Sequence, residues 1–221
     1  MRTLYIANKN YSSWSLRPWL LLRVLGIPFE ERLVPFGGGY DFSPTQKVPC
    51  LVEDGITVWD SLGVAEFVAE GHAGVWPEDR AARAFARSAC AEMHSGFSAL
   101  REICGMNCGV RVSLNEITPA LQAEIARIEA LWAEGLDRFG GPWLAGEKFT
   151  AADAFFAPVV FRIQTYGLAV TAKTRAYADR MLHLHEMREW YDAGLSELWR
   201  HDAHEDDIAK YGHIVEDLRA R

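Results

Sequence analysis

The sequence predicts an α/β domain followed by an all-helical domain, and three observations support this prediction. Short β-prone runs alternate with helix-forming segments in the first third of the chain. Beyond residue 80 the apolar residues recur at helical spacing. Residues 74–79 between the two regions contain a glycine, a proline and two acidic side chains, which is typical of a linker. We therefore predict an α/β domain over residues 1–76 and a helical domain over residues 80–221.

The composition is that of an ordinary globular protein and argues against several partners. Of the 221 residues, 49% are hydrophobic and 24% are charged. The net charge of −7 includes no basic block, so we expect neither nucleic acid nor a membrane surface as a partner. No apolar run approaches the roughly 18 residues of a membrane span, and we expect no signal peptide before the opening strand. Four cysteines without a paired framework favour the reducing cytoplasm.

The first elements have the order strand, helix, strand. Residues 3–7 form a β-prone run, and a helix is expected to start near residues 13–15 and to end before Gly26. Pro18 fits this helix if it lies in the first turn, where its missing N–H costs nothing. A second strand over residues 29–34 and a glycine turn at residues 37–39 follow.

The most informative stretch is residues 46–63, which predicts a hairpin followed by a helix. The acidic turn ending in Gly55 separates the apolar runs 50–52 and 56–59. Asp60-Ser61 then gives the signal of a helix start, and this helix should continue to about residue 70. Strand-helix-strand followed by strand-strand-helix is the order of a thioredoxin-like domain.

This stretch could bind a small acidic peptide. Val48 precedes Pro49, so its backbone is held extended, and the bond between them is one where a cis peptide is cheap. An exposed extended backbone can pair with a peptide as an added strand does. The free N–H groups at the next helix start suit a carboxylate. The alternative from the residues alone is a hairpin that packs on a helix and binds nothing.

The second half predicts several long helices. One covers residues 85–104, another begins at Thr118-Pro119, and further helical segments run through residues 175–199. A third begins at Thr150, which forms a reciprocal N-terminal cap with Asp153. The polar tail, residues 201–221, gives no clear signal of an element.

The Val-Pro pair followed by an acidic-Ser pair resembles the glutathione-binding half of the glutathione transferases. The resemblance implies glutathione as co-substrate, with a cis bond before Pro49 and main-chain pairing of Val48 with the cysteinyl unit. Asp60 and Ser61 would hold the γ-glutamyl end. The family usually has Glu or Gln where this chain has Asp60, which is one methylene shorter. The binding residues implied by the resemblance are Trp14, Lys47, Val48, Pro49, Asp60 and Ser61.

Residues 12–17, SSWSLR, resemble the SSCSWR signature of the zeta class of this family. In that class the first serine of the motif is catalytic, which implies Ser12 here, with Ser13 as the neighbouring candidate. The hydroxyl would stabilise the glutathione thiolate by a hydrogen bond at a helix start. A free thiol has a pKa near ~8.5, so such help raises the reactive fraction at neutral pH. Two alternatives stay open: the serines only cap the helix, or Tyr11 contacts the thiol as tyrosine does in other classes.

The resemblance implies that the first helix of the second half faces the other half and lines the pocket for the second substrate. An acidic electrophile would need a cation there, which draws attention to its arginines. Zeta enzymes usually carry a substrate-binding arginine at the position of Thr165, whereas this chain has Arg162 one turn earlier. The candidate substrate residues are Met93, His94, Phe97, Arg101, Met106 and Arg111.

We therefore predict a cytoplasmic, homodimeric glutathione transferase of the detoxification type, nearest to the zeta class and to bacterial zeta-like transferases. It would add the glutathione thiolate to a small electrophile. The alternatives are a glutathione-dependent cis-trans isomerase of maleylacetoacetate type and a non-catalytic binding protein of the same fold. The cysteines lack a Cys-x-x-Cys motif near the first helix, which argues against a redox mechanism. No metal site is expected, because the histidines at 183, 185, 201 and 204 have no clear further ligands.

Overall fold

A computed structural model describes residues 1–220, and its first half has the predicted thioredoxin-like arrangement. Its elements are β1 (Arg2–Ile6), α1 (Ser13–Val24), β2 (Glu30–Leu33), β3 (Cys50–Glu53), β4 (Ile56–Trp59) and α2 (Ser61–Gly71). The four strands form one sheet in the order β2-β1-β3-β4. The pair β1–β2 is parallel, whereas β1–β3 and β3–β4 are antiparallel. The predicted order of elements is confirmed.

The hairpin β3–β4 forms where the acidic turn predicts it. Glu53 pairs with Ile56, so Asp54 and Gly55 are the two turn residues. Both have positive φ, 49° and 83°, which is the backbone of the turn type that Asp-Gly favours. The short turn fixes the register and thereby places Trp59 and Asp60 beside the start of β3.

Helix α1 lies where it is predicted, but the position of Pro18 within it was wrong. The helix begins at Ser13, so Pro18 is an interior residue in the second turn. Proline has no N–H to donate to the carbonyl of Trp14 four residues earlier. The helix continues because most of its residues are buried, Leu16 and Trp19 completely. Packing against the sheet and the helical half outweighs the lost backbone hydrogen bond.

The second half is mainly helical. Its elements are α3 (Arg80–Ser95), α4 (Ser98–Ile103), β5 (Val110–Leu114), α5 (Pro119–Phe139), α6 (Ala151–Tyr166), α7 (Ala172–Leu182), α8 (His185–Ser196), α9 (Asp202–Tyr211) and β6 (Gly212–Asp217). One hydrophobic cluster runs from the sheet through α1 into these helices. No helix within residues 1–220 is long and apolar enough to cross a membrane.

Two predictions about the second half were wrong. The single helix over 85–104 is two helices, because Phe97 adopts left-handed φ and ψ of 60° and 46° and ends the regular backbone after Gly96. The region is also not wholly helical, since β5 and β6 pair as a two-stranded antiparallel sheet. The tail therefore contains a helix and a strand. The sequence around each strand does not indicate the pairing, because about a hundred residues separate β5 from β6.

Helix α6 is the buried axis of the second half. All its residues except Gln164 are buried, and the predicted cap between Thr150 and Asp153 is confirmed. The Asp153 carboxylate accepts hydrogen bonds from the N–H groups of Leu144 and Thr150 and from the Tyr177 hydroxyl, each at 2.9 Å. Burial raises the pKa of Asp153 to about 6, although these hydrogen bonds oppose the rise.

Candidate functional site

Two adjoining cavities share Trp14, Lys47 and Val48; one is lined by the sheet domain alone, and the other lies between this domain and the helices. The first has a volume of about 430 Å³, and we call it the proline cavity. It is lined by Trp14, Thr45, Lys47, Val48, Pro49, Trp59, Asp60 and Ser61. All six residues that the sequence suggested for glutathione binding are therefore in one cavity.

In the described chain, Val48 presents unpaired backbone groups to the proline cavity. The peptide bond between Val48 and Pro49 is cis, as the resemblance implied. Val48 is half-buried, and its N–H and C=O form no hydrogen bond within residues 1–220. Unpaired backbone groups at a partly buried position require a partner. An extended peptide could supply one by pairing as a short added strand.

The opposite end of the proline cavity is the N-terminus of α2. Asp60 caps this helix, and its Oδ1 accepts a hydrogen bond of 2.8 Å from the Leu62 N–H. Its other carboxylate oxygen lies 3.4 Å from His94 Nε2. Ser61 is completely buried, and its hydroxyl has no hydrogen-bond partner within residues 1–220. This end thus offers one carboxylate and one unused hydroxyl to a ligand.

The second cavity has a volume of about 370 Å³, and we call it the arginine cavity. Segments from distant parts of the chain form its wall. They contribute Tyr11, Ser12, Ser13, Trp14, Phe36, Tyr40, Gln46, Lys47, Val48, Arg101, Gly105, Met106, Arg162, His204 and Asp207.

Ser12 and Ser13 line the arginine cavity at the start of α1, next to the proline cavity. Ser12 is the N-cap residue, yet its hydroxyl makes no capping hydrogen bond to the helix backbone. It donates instead to the hydroxyl of Ser15 at 2.7 Å, and Ser15 also accepts from the Ala7 N–H. A hydroxyl that does not cap its helix can redirect its proton to a ligand.

Tyr11 also lines the arginine cavity, but its hydroxyl proton is already used. The hydroxyl donates to Glu205 at 2.6 Å and accepts from Arg219 at 3.2 Å. Burial and the hydrogen bond to Glu205 raise the pKa of Tyr11 well above its usual value. Donation to a thiolate would require this bond to the Glu205 carboxylate to break, whereas Ser12 would give up only a bond between two neutral hydroxyls. The geometry therefore favours the serines over Tyr11.

Two arginines lie against the Trp14 ring and a third lines the arginine cavity, and none of them has a carboxylate partner in the described chain. Arg17 is completely buried, 4.1 Å from the Trp14 ring, and none of its nitrogens has a partner within residues 1–220. Arg101 lies 4.6 Å from the same ring and donates only to backbone carbonyls. Arg162 donates through Nε to the Cys104 carbonyl at 2.7 Å, while its buried Nη1 has no partner in the described chain. Burial, with Arg101 nearby, lowers the pKa of Arg162 to about 10.

The suggested residues for the second substrate divide into two groups. Arg101 and Met106 line the arginine cavity, whereas Met93 and Phe97 are buried in the hydrophobic core. His94 lies outside both cavity walls. Its ring packs edge-on against Trp14 at 5.2 Å between centroids, and its Nε2 lies 3.4 Å from the Asp60 carboxylate.

Arg111 also lies outside both cavity walls. It donates to the carbonyls of Cys108 and Val110 and to the Tyr191 hydroxyl. Thr165 likewise faces the protein interior, where its hydroxyl donates to the Asn107 carbonyl. Arg162, one turn earlier, is the residue of this helix that reaches the cavity.

Sequence reasoning missed the contributions of the β2–β3 loop and the tail. Phe36 and Tyr40 come from the loop, and His204 and Asp207 come from α9. The spacing of His204, Ile208 and Tyr211 is helical, and this signal could have located α9. All four cysteines are free and buried, and burial raises the pKa of Cys104 to about 12. Such thiols are not nucleophiles at neutral pH.

A thioredoxin-like sheet joined to a helical domain, with one cavity in the sheet domain and an adjoining cavity between the two domains, defines a class of two-domain proteins in which each domain supplies part of the site. Residues 11–70 match the family of glutathione S-transferase N-terminal domains, and residues 111–201 match the family of glutathione S-transferase C-terminal domains. The two matches together include more than half of the chain. The chain belongs to the glutathione S-transferase family.

Curated relatives and solved structures agree with this assignment. A probable maleylacetoacetate isomerase from Caenorhabditis elegans is 28% identical over 178 residues, covering 75% of this chain and 80% of that protein. The maleylacetoacetate isomerase of Rattus norvegicus is 27% identical over 176 residues, covering 74% and 78%. These relatives support a position near the zeta class.

Among solved structures, a glutathione transferase homologue from Burkholderia GL BGR1 with bound glutathione has a TM-score of 0.67 and 25% identity. That match covers 87% of this chain and 97% of the other. The unclassified glutathione S-transferase 2 of Bombyx mori has a TM-score of 0.71 over 95% of this chain and 98% of the other. At 18% identity, this second match supports the fold alone.

Proposed function

We propose that this protein is a glutathione transferase that binds glutathione in the proline cavity and adds its thiolate to an electrophile in the arginine cavity. The observation that carries the proposal is the junction of the two cavities. The binding residues suggested by the sequence line one side of it, and Ser12 and Ser13 line the other. A thiol at the junction would meet an electrophile without leaving the site.

The charges along the proline cavity match the groups of glutathione. Asp60 would hold the γ-glutamyl ammonium, and the Ser61 hydroxyl would donate to the γ-glutamyl carboxylate. The free backbone groups of Val48 would pair with the cysteinyl unit. Lys47 stands where a cation could meet the glycyl carboxylate. This placement directs the cysteinyl sulfur toward Ser12 and Ser13.

The environment of these serines favours a thiolate. A hydroxyl that donates to the sulfur stabilises the anion, and the N-terminus of α1 adds a favourable dipole. Arg17 and Arg101 beside Trp14, and Arg162 in the wall of the arginine cavity, add positive charge without neutralising carboxylates in the described chain. The serine need not act as a base, because it only stabilises an anion that the surroundings already favour.

The pKa of bound glutathione tests this role. Ser12→Ala should raise that pKa by about one to two units, because a hydrogen bond to a charged group is worth about 1.5–3 kcal/mol. Affinity for glutathione should change little, since Val48 and Asp60 contact other parts of the tripeptide. Thiolate absorbance against pH measures the shift, with Ser13→Ala as the matched control.

The two variants distinguish the candidates. A shift in Ser13→Ala alone would assign the role to Ser13. Unchanged pKa values in both variants would contradict a catalytic serine, and Tyr11→Phe would then be measured in the same way. Failure of the unaltered protein to bind glutathione would contradict the proposed function itself and favour the binding-protein alternative.

A glutathione-dependent cis-trans isomerase is the second candidate, and the Nη1 of Arg162, which is unpartnered in the described chain, favours it. This group and Arg101 would hold the carboxylates of an acidic, conjugated substrate. The activity would convert a cis-dicarbonyl acid to its trans isomer without consuming glutathione. A transferase would instead consume one glutathione for each turnover. Free thiol measured during turnover separates the two reactions.

We further propose that the protein is a cytoplasmic homodimer that detoxifies small electrophiles. Family membership supports this assignment, as does the reduced state of all four cysteines. Sedimentation equilibrium measures the oligomeric state, and a monomer at micromolar concentration would contradict the dimer.

A further inference from the structure

We propose that His204 is a further catalytic residue, whose Nε2–H donates a hydrogen bond to the oxyanion that develops when the thiolate adds to a conjugated carbonyl electrophile. This inference rests on the proposed function and names the substrate class that the arginine cavity favours. The residue belongs to the tail, outside the motifs that suggested the activity.

The tail holds the His204 ring in a fixed place on the wall of the arginine cavity. The ring lies 5.0 Å from the Tyr11 ring and 5.2 Å from the Phe36 ring, centroid to centroid. Both of these aromatic residues line the same cavity. Glu205, the next residue, anchors the helix by accepting hydrogen bonds from Tyr11 and Arg219. His204 is therefore positioned before any substrate arrives, which electrostatic stabilisation requires.

A second histidine determines which ring nitrogen is available. Nδ1 of His204 lies 2.6 Å from Nδ1 of His201, a hydrogen bond in which one of the two atoms must carry the proton. When His201 donates, the neutral His204 ring carries its own proton on Nε2. The described residues give this nitrogen no hydrogen-bond partner. In this tautomer Nε2–H is the donor left for a ligand in the cavity.

The surroundings of His204 favour the neutral ring. Burial, followed by the proximity of His201, lowers the pKa of His204, and Asp207 and Glu205 only partly oppose this. Glu205 is itself held by Arg219 and by the Tyr11 hydroxyl, which reduces its pull on the imidazole. A neutral imidazole can stabilise a developing oxyanion by donating a hydrogen bond without transferring its proton.

The reaction requires no reactant other than glutathione, the electrophile and water. The glutathione sulfur forms a bond to the β-carbon of the electrophile, and the electron pair of the C=C bond moves to give an enolate. The enolate oxygen accepts the hydrogen bond from His204 Nε2–H, which keeps its proton. Water from the open cavity then protonates the α-carbon, and the hydroxide formed is neutralised by the medium. A displacement of chloride develops no carbonyl oxyanion, so it gains nothing from His204.

This contrast gives the test. His204→Ala should lower kcat/KM about 100-fold with 4-phenyl-3-buten-2-one, the magnitude seen when one oxyanion donor is removed. With benzyl chloride the change should be less than about threefold. His213→Ala is the matched control, because His213 is an exposed histidine of the same tail and lies outside the cavity wall. It should leave both rates unchanged.

Two further measurements separate a donor from a structural residue. His204→Gln keeps an N–H donor and should recover part of the enone activity. His201→Ala removes the residue that fixes the tautomer, so it should lower the enone rate less than His204→Ala does. Nitrogen chemical shifts of His204 report which of its nitrogens carries the proton, and a proton on Nδ1 in the free enzyme would overturn the inference.

The outcomes are distinct from those that test the proposed function. Equal losses with the enone and benzyl chloride, or no loss with either, would overturn the role of His204 while glutathione binding and thiol ionisation stay intact. If the unaltered protein turned over neither electrophile and did not ionise glutathione, the proposed function would fail and this inference with it.

Discussion

The two cavities are built in different ways, and the difference determines how each responds to substitution. Apart from Trp14, the proline cavity is lined by residues from the single stretch 45–61. The arginine cavity combines the first loop, the β2–β3 loop, α4, α6 and α9. Short-range turns and caps fix the first cavity, whereas hydrogen bonds between residues nearly two hundred positions apart fix the second. Glutathione binding should therefore tolerate damage to the tail, while electrophile binding should not.

Glu205→Ala should have the largest effect and should affect the arginine cavity alone. Glu205 accepts hydrogen bonds from Tyr11, Asn107 and Arg219. Breaking a buried ion pair costs about 3–5 kcal/mol. Arg219 keeps Asp217 at 2.8 Å, so we expect a smaller loss of about 2–3 kcal/mol in the free energy of unfolding. Denaturant unfolding measures this loss, and KM for the electrophile should rise while Kd for glutathione stays constant.

The pH dependence of Glu205→Gln sharpens the same test. Burial alone would raise the pKa of Glu205, but the hydrogen bonds from Arg219 and Tyr11 outweigh it and lower the pKa below the usual value. A lowered pKa in the folded state stabilises the protein above the unfolded pKa of about 4.5, and this contribution is lost as pH falls through the folded pKa. Glutamine does not titrate, so the free energy of unfolding of Glu205→Gln should fall less steeply as the pH is lowered through the folded pKa of Glu205. An unchanged acid-unfolding profile would contradict the anchoring role.

The same distinction explains how much of the molecule the sequence predicts. The hairpin and the cap at Asp60 follow from neighbouring residues, whereas the family resemblance implied the cis bond before Pro49 and six of the eight residues that line the proline cavity. The break at Phe97 was missed because it depends on a left-handed residue that is not glycine. The pairing of β5 with β6 was missed because long-range pairing leaves no local pattern, and the tail side of the arginine cavity was missed with it.

Ser61→Ala should weaken glutathione binding without destabilising the protein. The Ser61 hydroxyl is buried without a partner in the described chain, so its removal costs no hydrogen bond in the free protein. Bound glutathione would lose a donor to its carboxylate, worth about 1.5–2 kcal/mol, which is roughly a 10- to 30-fold rise in Kd. Calorimetric titration and thermal unfolding measure the two quantities.

Ser43→Ala is the matched control for Ser61→Ala. Ser43 is also buried and lies in the same part of the chain, but its hydroxyl is bonded to Thr45 at 3.2 Å. It should lose about 1 kcal/mol of stability and leave glutathione binding unchanged. The reverse pattern, a destabilised Ser61→Ala with normal affinity, would mean that Ser61 serves the fold and that glutathione does not use its hydroxyl.

Asp60 should show the smallest effect, and two substitutions separate its two roles. Asp60 accepts the Leu62 N–H as a helix cap, and its φ of 72° and ψ of 140° lie outside the usual regions for a residue other than glycine. Asp60→Asn keeps the cap and the backbone and removes the charge. Its stability should stay within about 0.5 kcal/mol. Its glutathione affinity should fall only about fivefold, because the Asp60 side chain is 45% exposed and solvent screens its attraction for an ammonium.

Asp60→Ala removes the cap as well as the charge. It should show the same fall in affinity together with a loss of about 1 kcal/mol in stability. The difference in stability between the two variants therefore measures the contribution of the cap. Their shared fall in glutathione affinity measures the contribution of the charge. Titration with glutathione and denaturant unfolding of both proteins provide the comparison. If Asp60→Asn bound glutathione as tightly as the unaltered protein, the γ-glutamyl ammonium would have another partner, and the end of the tripeptide at α2 would have to be reassigned.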